Sequence, residues 1–326
     1  MTMSDRVRER VERFLDDLDA SPVAGRVLTV IVCGSAARGE EVWAGDRLES
    51  DVDVMLVTRR TDPRLTAAAE AVMAPHRAWG IDGGPVPLGP LRRYATLLFY
   101  ETRASGVVVR GDLRPADLIP PMQPQELPAW EGFRVLANRL FEHVKLRAGL
   151  VAADRAVGKS YEALAEAYLV AEQRYRPTYA ARLEELERRP PEGVAEAVVA
   201  RLTGALQQRL AGGRRPVADL GTARADLLAG LARLGECCTG QPGDPARQLA
   251  RLARGRPHWR HRAYWSAVML SQGRWRSITP HVDPSLRIWQ RALAAVSGPG
   301  QGAEDPHLLD DWRRCPQVLD ERRRPR

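Results

Sequence analysis

The sequence predicts an α+β protein, with a small mixed sheet flanked by helices over residues 1–125 and an all-helical domain over residues 126–326. Three observations predict this. Runs of β-branched and apolar residues suited to strands occur only up to about residue 112. A proline-rich stretch, RPADLIPPMQPQELP, then interrupts the chain between Arg114 and Pro128. Beyond it every periodic pattern is helical.

The elements follow in order. Ser4 can cap a helix over 4–19 that places Val7, Val11, Phe14, Leu15 and Leu18 on one face. Residues 26–33 (RVLTVIVC) read as a buried strand, ended by Gly34 and Ser35. Residues 40–50 read as a loop and 51–58 (DVDVMLVT) as a second strand. Helical composition returns over 62–78. Between Gly80 and Pro90, glycine and proline leave room for one short strand at most. A helix over 91–105 and a short strand over 106–110 complete the mixed part. In the second part, 130–150 carries Phe133, Leu136, Leu140, Phe141 and Val144 on one face, and 157–175 repeats Tyr161, Tyr168 and Tyr175 every seven residues. That tyrosine spacing suits core packing better than base stacking. Further helices are expected near 192–211, 217–236, 258–272 and 284–296, with a frayed tail at 321–326.

At roughly 100–200 residues per domain, 326 residues suit about two domains. No apolar run reaches the roughly 18 residues of a membrane span, and the charged, amphipathic start lacks the apolar block of a secretory signal. A cytoplasmic protein without a membrane partner is expected. Cys33, Cys237, Cys238 and Cys315 form no CxxC pair, which speaks against a zinc site or disulfide framework, and Cys33 reads as a buried thiol. The charge is uneven: the first 125 residues carry 16 Arg against 18 Asp and Glu, and the remainder 33 Lys and Arg against 23 acids. A basic second half suits an anionic partner. However, 47 of the 49 basic residues are Arg, in a chain also rich in Ala, Gly and Pro, so a compositional bias explains the excess equally well.

Chemistry concentrates between the first two strands, at Gly34-Ser35-Ala36-Ala37-Arg38-Gly39-Glu40 and Ser50-Asp51-Val52-Asp53. Side chains two apart in a strand share a face, so Asp51 and Asp53 point the same way. Carboxylates so placed repel one another unless a cation lies between them, and Mg²⁺ (or Mn²⁺) joins one or two carboxylates to phosphate oxygens. Gly34 lets backbone approach a phosphate closely, and Ser35 offers a hydroxyl and an N–H at the start of a helical turn. Metal-assisted transfer of a nucleotidyl group needs these parts, since its catalysis is mostly positioning and charge stabilisation.

GSAARGE followed by SDVDVMLV resembles the signature of nucleotidyltransferases of the DNA polymerase beta-like superfamily, in particular antibiotic adenylyltransferases with a helical C-terminal domain. The resemblance covers about 25 residues, and the wider domain fits residues 1–112. It implies that Asp51 and Asp53 bind the metal and that Gly34, Ser35, Arg38 and a basic residue of the helical domain hold a nucleoside triphosphate. Lys159, one of only two lysines, is the candidate for that basic residue, against the plainer reading of a surface lysine. A third carboxylate is implied on a later strand. Asp82 in IDGGPVPL is the candidate third metal ligand and catalytic carboxylate that helps deprotonate the acceptor, yet Asp-Gly also opens turns and the stretch is a poor strand. Arg38 either touches phosphate or anchors the loop, Glu40 orients the loop or is exposed, and Asn138-Arg139 is read as a buried polar pair. The implied activity is transfer of a nucleoside monophosphate, AMP from ATP, to a hydroxyl of a small-molecule, protein or RNA acceptor. Two alternatives stay open: a catalytically weak or inactive descendant that binds nucleotide or a partner, and a nucleic-acid-binding module using the basic half.

Overall fold

A computed structural model of the protein describes residues 3–213, 216–254, 263, 266–267, 270, 284–298 and 307–314. It is α+β, with a mixed four-stranded sheet followed by a helical region. Among the described residues no helix is long and apolar enough to cross a membrane.

Helix α1 (Asp5–Asp19) begins where the Ser4 hydroxyl accepts from the Val7 N–H, and buries Val7, Val11, Phe14 and Leu18. Each such side chain contributes about 1.5–3 kcal/mol when fully buried. The sheet comprises β1 (Val27–Cys33), β4 (Val52–Thr58), β5 (Ile81–Pro87) and β6 (Val107–Arg110), in the order β5-β4-β1-β6. β1 runs antiparallel to both β4 and β6, whereas β4 and β5 are parallel. One face of the sheet packs Val30, Val32, Val54 and Leu56 against α1 and α3 (Pro63–Met73). The other presents Ile31, Cys33, Met55 and Val57 to a core that continues into the helical region.

Several expectations are corrected. The loop expected at 40–50 contains a hairpin, β2 (Trp43–Ala44) with β3 (Arg47–Leu48). The helix expected at 91–105 is two, α4 (Leu88–Arg93) and α5 (Leu97–Ser105), because Tyr94 is extended and Thr96 caps a new start. The stretch thought able to hold one short strand forms the seven-residue β5. It can do so as an edge strand: Pro85 and Pro87 lie two apart, so their missing N–H groups fall on the same, open side. Gly83 is essential to the pairing, since a Cβ there would lie 1.8 Å from the Val54 carbonyl oxygen.

Beyond the four-residue helix α6 (Pro115–Leu118), the helical region contains α7 (Ala129–Arg147), α8 (Ala153–Ala171), α9 (Tyr179–Arg188), α10 (Glu196–Leu210), α11 (Leu220–Thr239), α12 (Pro245–Arg254), α13 (Pro284–Ser297) and α14 (Leu308–Arg314). Helices α9, α12 and α14 were not expected. Tyr161, Tyr168 and Tyr175 are buried in the core, as their spacing predicts. The Tyr161 hydroxyl is 2.7 Å from a carboxylate oxygen of Asp226. The helix expected at 258–272 falls largely outside the described residues, as do His258, His261, Cys315 and the tail at 321–326.

Candidate functional site

The short helix α2 (Gly34–Ala37) turns directly out of β1. Gly34 makes the turn at φ +66°, a left-handed conformation that glycine adopts without a Cβ penalty. A second constraint is contact, because a Cβ at Gly34 would stand 2.6 Å from Oδ2 of Asp53. The Asp53 carboxylate therefore leans onto the bare backbone of the bend. Ser35, half-buried, sits in the first turn of α2.

Asp51 immediately precedes β4 and Asp53 is its second residue. The parallel register aligns Asp53 with Asp82. Laterally aligned residues of a parallel pair project to the same side, so Asp82 stands beside Asp53 and not away from it. The Asp82 Oδ1 also accepts from the Gly83 N–H at 2.9 Å. Enclosure by the surrounding protein, then the charges of Asp51 and Asp82, push the Asp53 carboxyl up to about 7, although the residue keeps an exposed surface.

Arginines hold the two outer carboxylates. Arg155, from α8, places Nη2 3.4 Å from Asp51 Oδ1 and Nε 3.3 Å from Glu142 Oε2, and it also donates to the Glu49 carbonyl. Lys145 is 2.8 Å from Glu142. Arg77 is 3.4 Å from Asp82 and donates to both oxygens of Glu70, at 2.6 Å for the Nη2 contact. Burial alone would raise the Asp51 carboxyl; Lys159, then Arg155 and Lys145, outweigh it and hold the group below its ordinary value. Lys159 is not a surface lysine. It is buried on α8, 3.4 Å from Glu162, and its charge acts on both Asp51 and Asp53.

Arg38 and Glu40 point inward. The Arg38 Nε donates to Glu40 Oε2 at 2.6 Å, its Nη1 lies 3.6 Å from Glu101, and only 3% of the residue is exposed. These contacts tie Arg38 to Glu40 and Glu101 in the interior. Glu40 Oε1 accepts from the Tyr179 N–H at the start of α9 at 3.0 Å, and Arg209 Nη2 reaches the Glu40 carbonyl at 3.0 Å. Asn138 and Arg139 are half-buried, and Asn138 accepts from the Trp289 indole at 3.1 Å.

Sequence reasoning missed Arg155, Glu142 and Arg77. A signal for Arg155 existed: it lies four residues before Lys159 on one helix, the spacing that puts two side chains on the same face.

Three carboxylates on one side of a sheet end, with the middle one hard to ionise, fit a divalent cation in donor chemistry and in charge. As the side chains stand, no three His, Cys, Asp or Glu residues among the described ones gather round a common point. Comparison of the chain with protein families, with curated proteins and with solved structures gives no match.

Proposed function

We propose that the protein is a metal-dependent nucleotidyltransferase that moves a nucleoside monophosphate, AMP from ATP, to a hydroxyl of a small-molecule, protein or RNA acceptor. The observation that carries this reading is the register of β4 and β5, which sets Asp82 beside Asp53, above the Gly34 bend and across from Lys159.

In this reading Asp51, Asp53 and Asp82 hold Mg²⁺ or Mn²⁺, which when bound supplies positive charge to the phosphates and to the attacking oxygen. Gly34 and Ser35 present backbone to the triphosphate. Lys159 supplies positive charge from the helical side, where the negative charge of departing pyrophosphate develops. The acceptor hydroxyl attacks the α-phosphorus, the bond to the β-phosphate oxygen breaks, and the hydroxyl proton passes to the Asp82 carboxylate. The buried contacts of Arg38 and Glu40 hold the bend in place.

The test is incubation with labelled ATP, GTP, CTP and UTP, Mg²⁺ and pools of acceptors, with Asp53→Ala alongside. Pyrophosphate release by the wild type and not by the variant is expected. Release by neither across all four nucleotides would leave a nucleotide- or partner-binding descendant of the fold.

A further inference from the structure

Asp51 and Asp82 share a pattern that the reaction does not require. Each outer carboxylate faces an arginine whose strong contacts lie elsewhere. Arg155 is anchored by the Glu49 carbonyl, with Glu142 at 3.3 Å, and Arg77 by a two-pronged pair with Glu70. The contacts to Asp51 and Asp82 are loose, both 3.4 Å. A strong charge-assisted hydrogen bond is about 2.7–2.9 Å. Separation by a further half ångström leaves attraction between charges but little directional bonding, so these contacts break at small cost.

We propose that Arg155 and Arg77 are exchangeable cations: a divalent metal displaces them from Asp51 and Asp82, and Arg155, released from Asp51 on its helix α8, then pairs with the phosphates of the nucleotide. This inference rests on the nucleotidyl-transfer reading. The arginines and the metal compete for the same oxygens, so the metal displaces Arg155 at least cost when phosphates arrive with it to take the place of Asp51. Metal alone leaves a guanidinium beside the cation that displaced it; nucleotide alone meets carboxylates. Arg155 thereby couples the two ligands, and its removal has opposite effects on them. A guanidinium serving only to brace α8 against the segment before β4 predicts no such reversal.

The full-length chain is titrated with Mn²⁺, following the free-ion electron paramagnetic resonance signal, first alone and then with α,β-methylene-ATP, which cannot be cleaved at the α–β bridge. Arg155→Ala is expected to bind Mn²⁺ alone about tenfold more tightly, the effect of removing one neighbouring positive charge, and to bind the Mn²⁺-loaded nucleotide analogue about tenfold more weakly. Arg155→Gln keeps an amide donor for the Glu49 carbonyl while losing the charge, so it reports the same reversal if the alanine variant folds poorly. Arg77→Ala is expected to tighten Mn²⁺ without weakening the analogue. Unchanged or weaker Mn²⁺ binding by both Arg155 variants, with wild type binding the ion, overturns the exchange and leaves Arg155 a brace. Absence of Mn²⁺ binding by the wild type overturns the nucleotidyl-transfer reading itself, and this inference with it.

Discussion

Replacing Asp53 by asparagine should stabilise the fold while abolishing the proposed activity. The Asp53 carboxyl is raised from 3.8 to about 7 by enclosure and by the charges of Asp51 and Asp82. A raised carboxyl pKa means that the folded chain holds this proton more tightly than the unfolded chain does. Ionisation therefore costs the folded state stability: nothing below pH 3.8, progressively more up to 7, and the full amount above it. Three pKa units correspond to about 4 kcal/mol. The residue is exposed to solvent, which screens the charges, and about 1–2 kcal/mol is the expected remainder. Asparagine has the same shape and no charge to repel. Urea unfolding followed by circular dichroism, in buffer with a chelator, should show Asp53→Asn more stable than wild type by that amount at pH 8 and equal to it at pH 3.5. Adding Mn²⁺ at pH 8 should stabilise the wild type and not the variant. A variant less stable than wild type at pH 8, or a gain of equal size at both pH values, would refute the account of three crowded acids.

Three further outcomes are expected. Gly83→Ala forces a Cβ into the Val54 carbonyl, so β5 must unpair where it carries Asp82; activity should fall at least as far as in Asp82→Ala, with loss of exchange protection at the β4–β5 amides as the readout. Glu40→Ala leaves the buried Arg38 guanidinium and the Tyr179 N–H without their carboxylate, and denaturant unfolding should show a loss of about 3–5 kcal/mol. His143, whose Nε2 is 2.9 Å from the Ser160 hydroxyl, is pushed down from 6.5 to about 4 by burial and then by Arg224. A depressed histidine pKa favours the neutral folded form, so wild-type stability should decline between pH 6.5 and pH 4, by about 3 kcal/mol from this group; His143→Gln should flatten that part of the pH profile.

Periodic parts of the fold were legible. The apolar face of α1 and the β-branched runs of β1 and β4 announce themselves because one side of each is buried and the other is not. The β5 strand was hard to read because its Gly and Pro residues lower strand propensity, yet an edge position tolerates proline and a close parallel neighbour demands glycine at 83. In the site, Gly34, Asp51 and Asp53 could be found because they are close in sequence. Asp82 is close in space through pairing alone. Arg155 was hidden by composition, one arginine among many, and the partnership of Glu40 with Tyr179 joins residues 139 apart in the chain, a pairing that no local pattern encodes.

That partnership bears on how the sheet is held against the helices. Between the sheet and the helices lies a buried run of charges. Arg182 is wholly buried, donates to Glu166 at 2.5 Å and also to Glu101, and stacks on Tyr175 and Tyr179 at 4.6 and 4.7 Å. Glu101 is in turn paired with Arg38, and Arg38 with Glu40. Burying so many charges is weak as a source of stability, since desolvation offsets most of the attraction. It is effective at fixing geometry, because a displaced member leaves an unpaired charge in a dry interior. An apolar interface could slide by a fraction of an ångström at little cost, whereas sliding this one would cost more. The catalytic proposal needs such rigidity: the Gly34 bend belongs to the sheet, Lys159 and Arg155 belong to α8, and the phosphates would have to meet both. Glu40, pairing with Arg38 on the sheet side and with the α9 N-terminus on the other, registers the bend against the helices that carry those cations.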